Sequence, residues 1–197
     1  KKNARNGFFE EKKEKPLPHG KINKDHFFCY PAKVGSLLAF IYFHRDFMSH
    51  GVVLCNLFEM AREEEYVDRK PDLVYVYGVK DDSTQVKTTF YDDQVNELMF
   101  GYVSYGDEID YFGYMKKMTL TLHNLKMIQQ GNLPIHGAMV HIVMKNGKSA
   151  NVMIMGDSGA GKSECLEAFR GLSEDYISDM TIVFDDMGVL KLPNEGK

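Results

Sequence analysis

The sequence predicts an α/β fold: an α+β N-terminal region, then the start of a domain whose mixed sheet carries a glycine-rich loop between strand and helix. Three observations predict it. Apolar runs rich in β-branched and aromatic residues, such as Leu73-Val74-Tyr75-Val76-Tyr77, alternate with segments whose apolar residues recur at helical spacing. Asn146-Gly147 lies between two apolar runs, a strong hairpin signal. The second of those runs feeds the octapeptide GDSGAGKS, Gly156 to Ser163, and a segment suited to a helix follows.

Taken in order, residues 1 to about 25 are rich in Lys and Glu and contain Pro16, Pro18 and Gly20, which predicts a solvated, poorly packed arm. Its Lys12-Lys13 pair is interrupted by Glu10, Glu11 and Glu14, so it reads as a mixed-charge tail rather than a targeting signal. An α/β domain follows over 26–110. Leu37 to Phe43 is a buried element of either type, and Val53 to Arg62 is a helix. Asp72 to Tyr77 and Gln85 to Tyr91 are strands, and Asp92 or Asp93 caps a short helix reaching Phe100. From residue 111 a third segment runs to 197. Met118, Leu122, Leu125 and Ile128 mark a helix over Met118 to Gln130, with Gly131 as its terminator. Ile135 to Lys145 and Lys148 to Met155 are the arms of the hairpin. Ser163 to Arg170 is a helix closed by Gly171, and Thr181 to Phe184 is a buried strand ending at Asp185-Asp186.

Composition narrows the class. Apolar residues make up 44% and charged residues 26%, which predicts an ordinary soluble globular protein. A formal net charge of −4 argues against a general nucleic-acid binder. Cys29, Cys55 and Cys165 form no CxxC pair, so a reducing, cytoplasmic setting without a disulfide framework is expected. The charged N-terminus does not read as a signal peptide, and no apolar run approaches the length of a membrane span, so no membrane association is expected.

GDSGAGKS fits the pattern G-x-x-x-x-G-K-[ST], and the predicted strand before it and helix after it are the context in which the pattern binds phosphate. Gly156, Gly159 and Gly161 free the backbone to curl, so that N–H groups from Gly156 through Asp157, Ser158, Ala160 and Glu164 can face one anion. The positive end of the helix adds to that field. Lys162 would reach the outer phosphates of ATP or another nucleotide, and the Ser163 hydroxyl would ligate a divalent ion.

Three further features stand in the same third of the chain. Asp185-Asp186 closes an apolar strand, where a nucleotide-bound metal needs a carboxylate; it is otherwise a polar strand end before Gly188. Lys116-Lys117 opens the Met118 helix, an unfavourable place for cations, so they are either plain solvated lysines or face an anion or metal. His136 is a lone strand histidine, either structural or a ligand.

In this order the residues resemble ATP-dependent phosphoenolpyruvate carboxykinases. Tyr111-Phe112-Gly113-Tyr114-Met115-Lys116-Lys117 is similar to the family's Y-x-G-E-M-K-K motif, and His136 follows Lys117 by nineteen residues, as in the family. The glycine loop and the paired aspartates complete the series over about residues 111 to 188. The resemblance implies a carboxykinase-like nucleotide domain in which Lys117, His136 and Asp186 bind Mn²⁺ and Ser163 binds the Mg²⁺ of ATP. It also implies that Lys162 holds the transferred phosphate, that Tyr111 and Lys116 line the substrate pocket, and that Asp185 joins the catalytic set. The substrate would be oxaloacetate and the product phosphoenolpyruvate. A lysine ligates metal only when neutral, so burial together with the neighbouring cation would have to lower the Lys117 pKa considerably.

The match has departures. Tyr114 replaces the motif's glutamate, Gly137-Ala138-Met139 follows His136, and no G-R-S-P-x-D-K-like segment occurs in the first hundred residues. The five arginines leave Arg45 and Arg62 as stand-ins for the substrate-carboxylate arginine. The loop with its following glutamate, GDSGAGKSE, resembles that of HPr kinase/phosphorylase, as does Ile135-His136-Gly137. That family implies proton transfer by His136 and the aspartates to and from a serine hydroxyl or inorganic phosphate, and a non-catalytic nucleotide-binding module is the remaining alternative. Eleven residues follow Asp186, so the third segment is expected to be a partial domain whose site is completed by more of its own chain or by a partner subunit.

Overall fold

A computed structural model describes residues 9–15, 22–81, 85–156, 159–171 and 173–191, with 173 and 174 as backbone only. They fall into two compact units, residues 1–126 and 127–197. Each unit combines strands with helices, so the α/β class holds.

The first unit is built on a seven-stranded sheet. Its strands are β1 (Glu10–Glu11), β2 (Phe27–Val34), β3 (Leu37–His44), β4 (Glu59–Met60), β5 (Leu73–Val79), β6 (Thr88–Asp93) and β7 (Leu98–Ser104), in the order β1-β6-β7-β5-β3-β2-β4. The central three, β3, β5 and β7, run parallel, and β2 and β6 flank them antiparallel. This centre is buried on both sides, which is why Leu37 to His44 is a near-continuous apolar run rather than an alternating one. The expected arm supplies β1, an exposed parallel partner of β6, and the Lys15 ammonium lies 5.6 Å above the Phe100 ring.

Helices α1 (Met48–Leu57) and α3 (Phe112–Gln129) cover one face of this sheet, and α2 (Glu63–Tyr66) is a single turn. Gly51 of α1 rests on the Phe43 ring, and Gly101 of β7 admits Leu122 and Met118 of α3. The same face carries a run of rings: Phe47, Tyr77 and Tyr75, then Tyr114 and Tyr111. The Tyr77 hydroxyl donates to the Ile109 carbonyl.

Two predicted elements differ. The helix expected over Val53 to Arg62 begins at Met48 and stops at Leu57. Phe58 turns inward, its carbonyl accepts the Tyr30 hydroxyl, and Glu59–Met60 pair with Lys33 and Ala32 of β2. Strand pairing overrides helix propensity there. No helix follows Asp92 or Asp93. The Asp93 carboxylate accepts the Asn96 N–H at 3.0 Å and Glu97 takes φ 55, closing a β6–β7 hairpin. An aspartate that accepts an N–H three residues on looks the same in sequence whether it caps a helix or a turn.

The second unit is a three-stranded antiparallel sheet in the order β10-β8-β9, from β8 (Leu133–Met144), β9 (Ser149–Met155) and β10 (Ile177–Leu190). It carries α4 (Lys162–Gly171) and the single turn α5 (Ser173–Tyr176). The mixed sheet expected here lies in the first unit; among the described residues this one has only antiparallel pairs. Its β9 and β10 run in the same direction on either side of β8, joined through α4. Leu166 of α4 packs on Ala138, Val140 and Ile142. The unit opens on a Schellman cap, with Gly131 N–H to Ile128 O, Asn132 N–H to Met127 O, and Gly131 at φ 77. The Asn146-Gly147 hairpin forms as read, with Gly147 at φ 82 and its N–H on the Met144 carbonyl. β10 is longer than the strand expected and is not buried: Val183 is 54% exposed, and pairing continues past both aspartates to Leu190. Among the described residues no helix is long and apolar enough to cross a membrane.

Two outcomes follow. In Gly51→Ala the new Cβ would stand 2.1–2.8 Å from three atoms of the buried Phe43 ring. Alanine improves helix propensity by about 1 kcal/mol, but overpacking costs about 1–3 kcal/mol, so chemical denaturation should show a net loss. Burial lowers the pKa of His44 and of His123. The folded state therefore binds fewer protons than the unfolded one, in which histidine titrates near about 6.5. The stability gained by keeping both rings neutral is complete above about pH 6.5 and is lost as pH falls through their folded values. The melting temperature should drop between about pH 7.5 and about pH 5, and should drop less in His123→Gln.

Candidate functional site

The candidate residues divide between the units. Tyr111, Lys116 and Lys117 are in the first; His136, the described loop residues, Asp185 and Asp186 are in the second. Asp157 and Ser158 lie outside the described residues.

In the second unit strand register does the gathering. Met155, the last residue of β9, pairs with Gly137 of β8, which pairs with Asp186 of β10. The glycine loop therefore leaves the sheet in the row that holds Asp186, one residue from His136, with neighbouring strands about 5 Å apart. Gly137 makes this row possible. A Cβ there would sit 2.6 Å from the Ile154 carbonyl oxygen, a backbone atom that cannot swing aside.

The loop has the backbone its glycines predict. Gly159 and Gly161 take φ 83 and φ 84, which side chains resist. Gly156 packs so closely that a Cβ would meet Ala160 Cβ at 2.9 Å. Cys165 N–H bonds to Gly161 O and starts α4. Lys162 is only 8% exposed, and its ammonium donates to the Gly156 carbonyl at 3.0 Å, across the root of the loop. Ser163 and Glu164 are exposed beside it.

His136 Nε2 lies 3.4 Å from Asp186 Oδ1, both about half exposed. A straight strand would not bring them together, because Asp186 stands opposite Gly137 and neighbouring residues face opposite sides. The bend comes from Asp186 itself, which takes φ 78. Its effect shows in Phe184, whose ring covers Gly188 so closely that a Cβ there would lie 2.4 Å away. In a straight strand the two would be about 13 Å apart. Aspartate visits this left-handed region more readily than most residues, which was the available sequence signal. Asp185 pairs with Ala138 and is exposed. The expectation of a strand that ends at the aspartates is thus replaced by a strand that bends at them.

In the first unit α3 begins at Phe112, so Lys116 and Lys117 lie in its second turn and not at its start. They escape the unfavourable N-terminal field, which fades within the first turn. Lys116 is half-buried and Lys117 exposed, so the burial invoked to neutralise Lys117 is not found. Tyr111 is exposed, its ring against Tyr114, whose hydroxyl bonds to Thr88 Oγ1. Among the described residues no three His, Cys, Asp or Glu side chains gather as a metal site. No family model matches the chain, and no curated protein matches it.

The row through Gly137 has a measurable consequence. Gly137→Ala should force β8 and β9 apart beside the loop and lower stability by about 1–3 kcal/mol, with increased hydrogen exchange at Ile154 and Met155.

Proposed function

We propose that the second unit binds ATP, and that the protein transfers its γ-phosphoryl group to the enolate formed from oxaloacetate, giving phosphoenolpyruvate. The C–C bond to the departing carboxylate breaks, carbon dioxide leaves, and its electron pair forms the enolate. The enolate oxygen then attacks γ-phosphorus as ADP departs.

One observation carries the nucleotide part: Lys162 heads α4 with its ammonium on the Gly156 carbonyl, around a loop held by two left-handed glycines. On arrival of a nucleotide that ammonium would exchange a neutral carbonyl for phosphate oxygens, a stronger charge-assisted bond. The loop N–H groups and the start of α4 would orient the phosphates. Exposed Ser163 fits Mg²⁺, an ion that takes few protein ligands and completes its shell with water and phosphate. His136 and Asp186 are suitable donors for Mn²⁺. Such ions, when bound, neutralise charge on the phosphoryl oxygens.

The His136–Asp186 contact favours a second reading, kinase action on a protein or small-molecule hydroxyl in the manner of HPr kinase. His136 would take the hydroxyl proton while Asp186 orients the ring and stabilises its charged form.

Calorimetric titration with ATP and Mg²⁺ should show Lys162→Ala binding about 10- to 150-fold more weakly, the loss of one bond to a charged group. Phosphoenolpyruvate and carbon dioxide formed from oxaloacetate with Mn²⁺ support the first reading. Nucleotide turnover without phosphoenolpyruvate, with label appearing on an alcohol, sinks it in favour of the second.

A further inference from the structure

The first unit holds a cluster of polar side chains that the nucleotide reading does not use. Because β3, β5 and β7 are parallel, their carboxyl ends share one edge of the sheet, where open α/β sheets take their ligands. His44 ends β3, Lys80 follows β5 and Tyr105 follows β7. Asp46 ties the three together. Its carboxylate accepts Lys80 Nζ at 3.1 Å and the Tyr105 hydroxyl at 3.0 Å, and lies 3.3 Å from His44 Nδ1. His44 is buried, and its Nδ1 also accepts the Asp46 N–H at 3.2 Å.

On the His44 side of this hub the neighbouring charge is positive, whereas Asp107 and Asp110 act on Tyr105. The Lys80 ammonium is mostly exposed and lies 4.5 Å over the Tyr105 ring, with one of its three protons committed to Asp46. The His26 ring stands 5.9 Å from His44, and the Arg45 N–H bonds to the His26 carbonyl. Among the described residues no hydrogen bond or ion pair holds the Arg45 guanidinium. Lys80, His26 and Arg45 each oppose a charge on His44, after burial itself. Three cationic or cationisable groups thus stand near the His44 imidazole, with Asp46 as the counter-charge beside it and Asp107 and Asp110 nearer Tyr105.

From this juxtaposition we infer that the carboxyl ends of β3, β5 and β7 form a binding site for a small organic carboxylate, held by Arg45 and Lys80 beside His26. The guanidinium fork matches a planar carboxylate, and the free ammonium protons serve a second oxygen. Asp46, two residues past the end of β3, fixes Lys80 after β5 and the Tyr105 hydroxyl after β7, and so joins the three strand ends. The site lies within the first unit, and its test needs no nucleotide.

The full chain is titrated with sodium succinate at constant ionic strength, followed by calorimetry and by the histidine ring resonances. Saturable shifts of His26 and His44 are expected, with binding at least about tenfold weaker in Arg45→Gln and in Lys80→Gln, the loss of one charged contact. Both residues are exposed, and thermal melts check that the variants fold. Lys148→Gln, at the tip of the Asn146-Gly147 hairpin, is the charge control and should bind as the parent does. Shifts that never saturate, or equal weakening by the control, overturn the site. Tighter binding of inorganic phosphate than of succinate overturns the assignment of a carboxylate.

Discussion

The approach of the Ile154 carbonyl to Gly137 governs the second unit. With no Cβ on Gly137, β8 and β9 pair up to the residue at which the glycine loop begins. The same residue faces Asp186 on the other side. One backbone contact therefore fixes the root of the loop, the height of His136 and the place where β10 bends. A side chain there would disturb all three, although Gly137 itself carries no chemistry.

Local features were legible in the sequence because their causes are local. Asn146-Gly147 and Gly131 each name a backbone conformation that few other residues adopt, and both act as read. The loop is another such case, since Gly159 and Gly161 occupy left-handed positions. The first unit was harder. Nothing near Phe58 announces that Glu59–Met60 will pair with β2, a strand about 25 residues earlier. Asp93 was misread because its interaction with Asn96 is the same in a turn and at a helix start.

The distant parts of the candidate site were legible as residue types but not as geometry. His136 and Asp186 stood out as a histidine and an acid near a phosphate-type loop, yet their contact depends on a left-handed aspartate within a paired strand. Lys116 and Lys117 would open a helix that started at Met118, where the helical spacing of apolar residues begins. Six earlier residues, from Phe112, join the helix because Met115 faces the sheet beside Met118 and Leu122. The cluster around Asp46 left no motif, since its members come from the ends of three strands far apart in sequence.

The ring stack on the first sheet gives the protein a built-in optical label. The chain has no tryptophan, and of its eleven tyrosines only Tyr176 belongs to the second unit. Tyr75 and Tyr77 are almost wholly enclosed, whereas Tyr176 is largely exposed. Near-ultraviolet absorbance and circular dichroism therefore report the packing of residues 1–126 and are almost blind to the loop-bearing unit. Far-ultraviolet signals sum over both. Differences between the two during denaturation separate the melting of one unit from that of the other without any introduced probe.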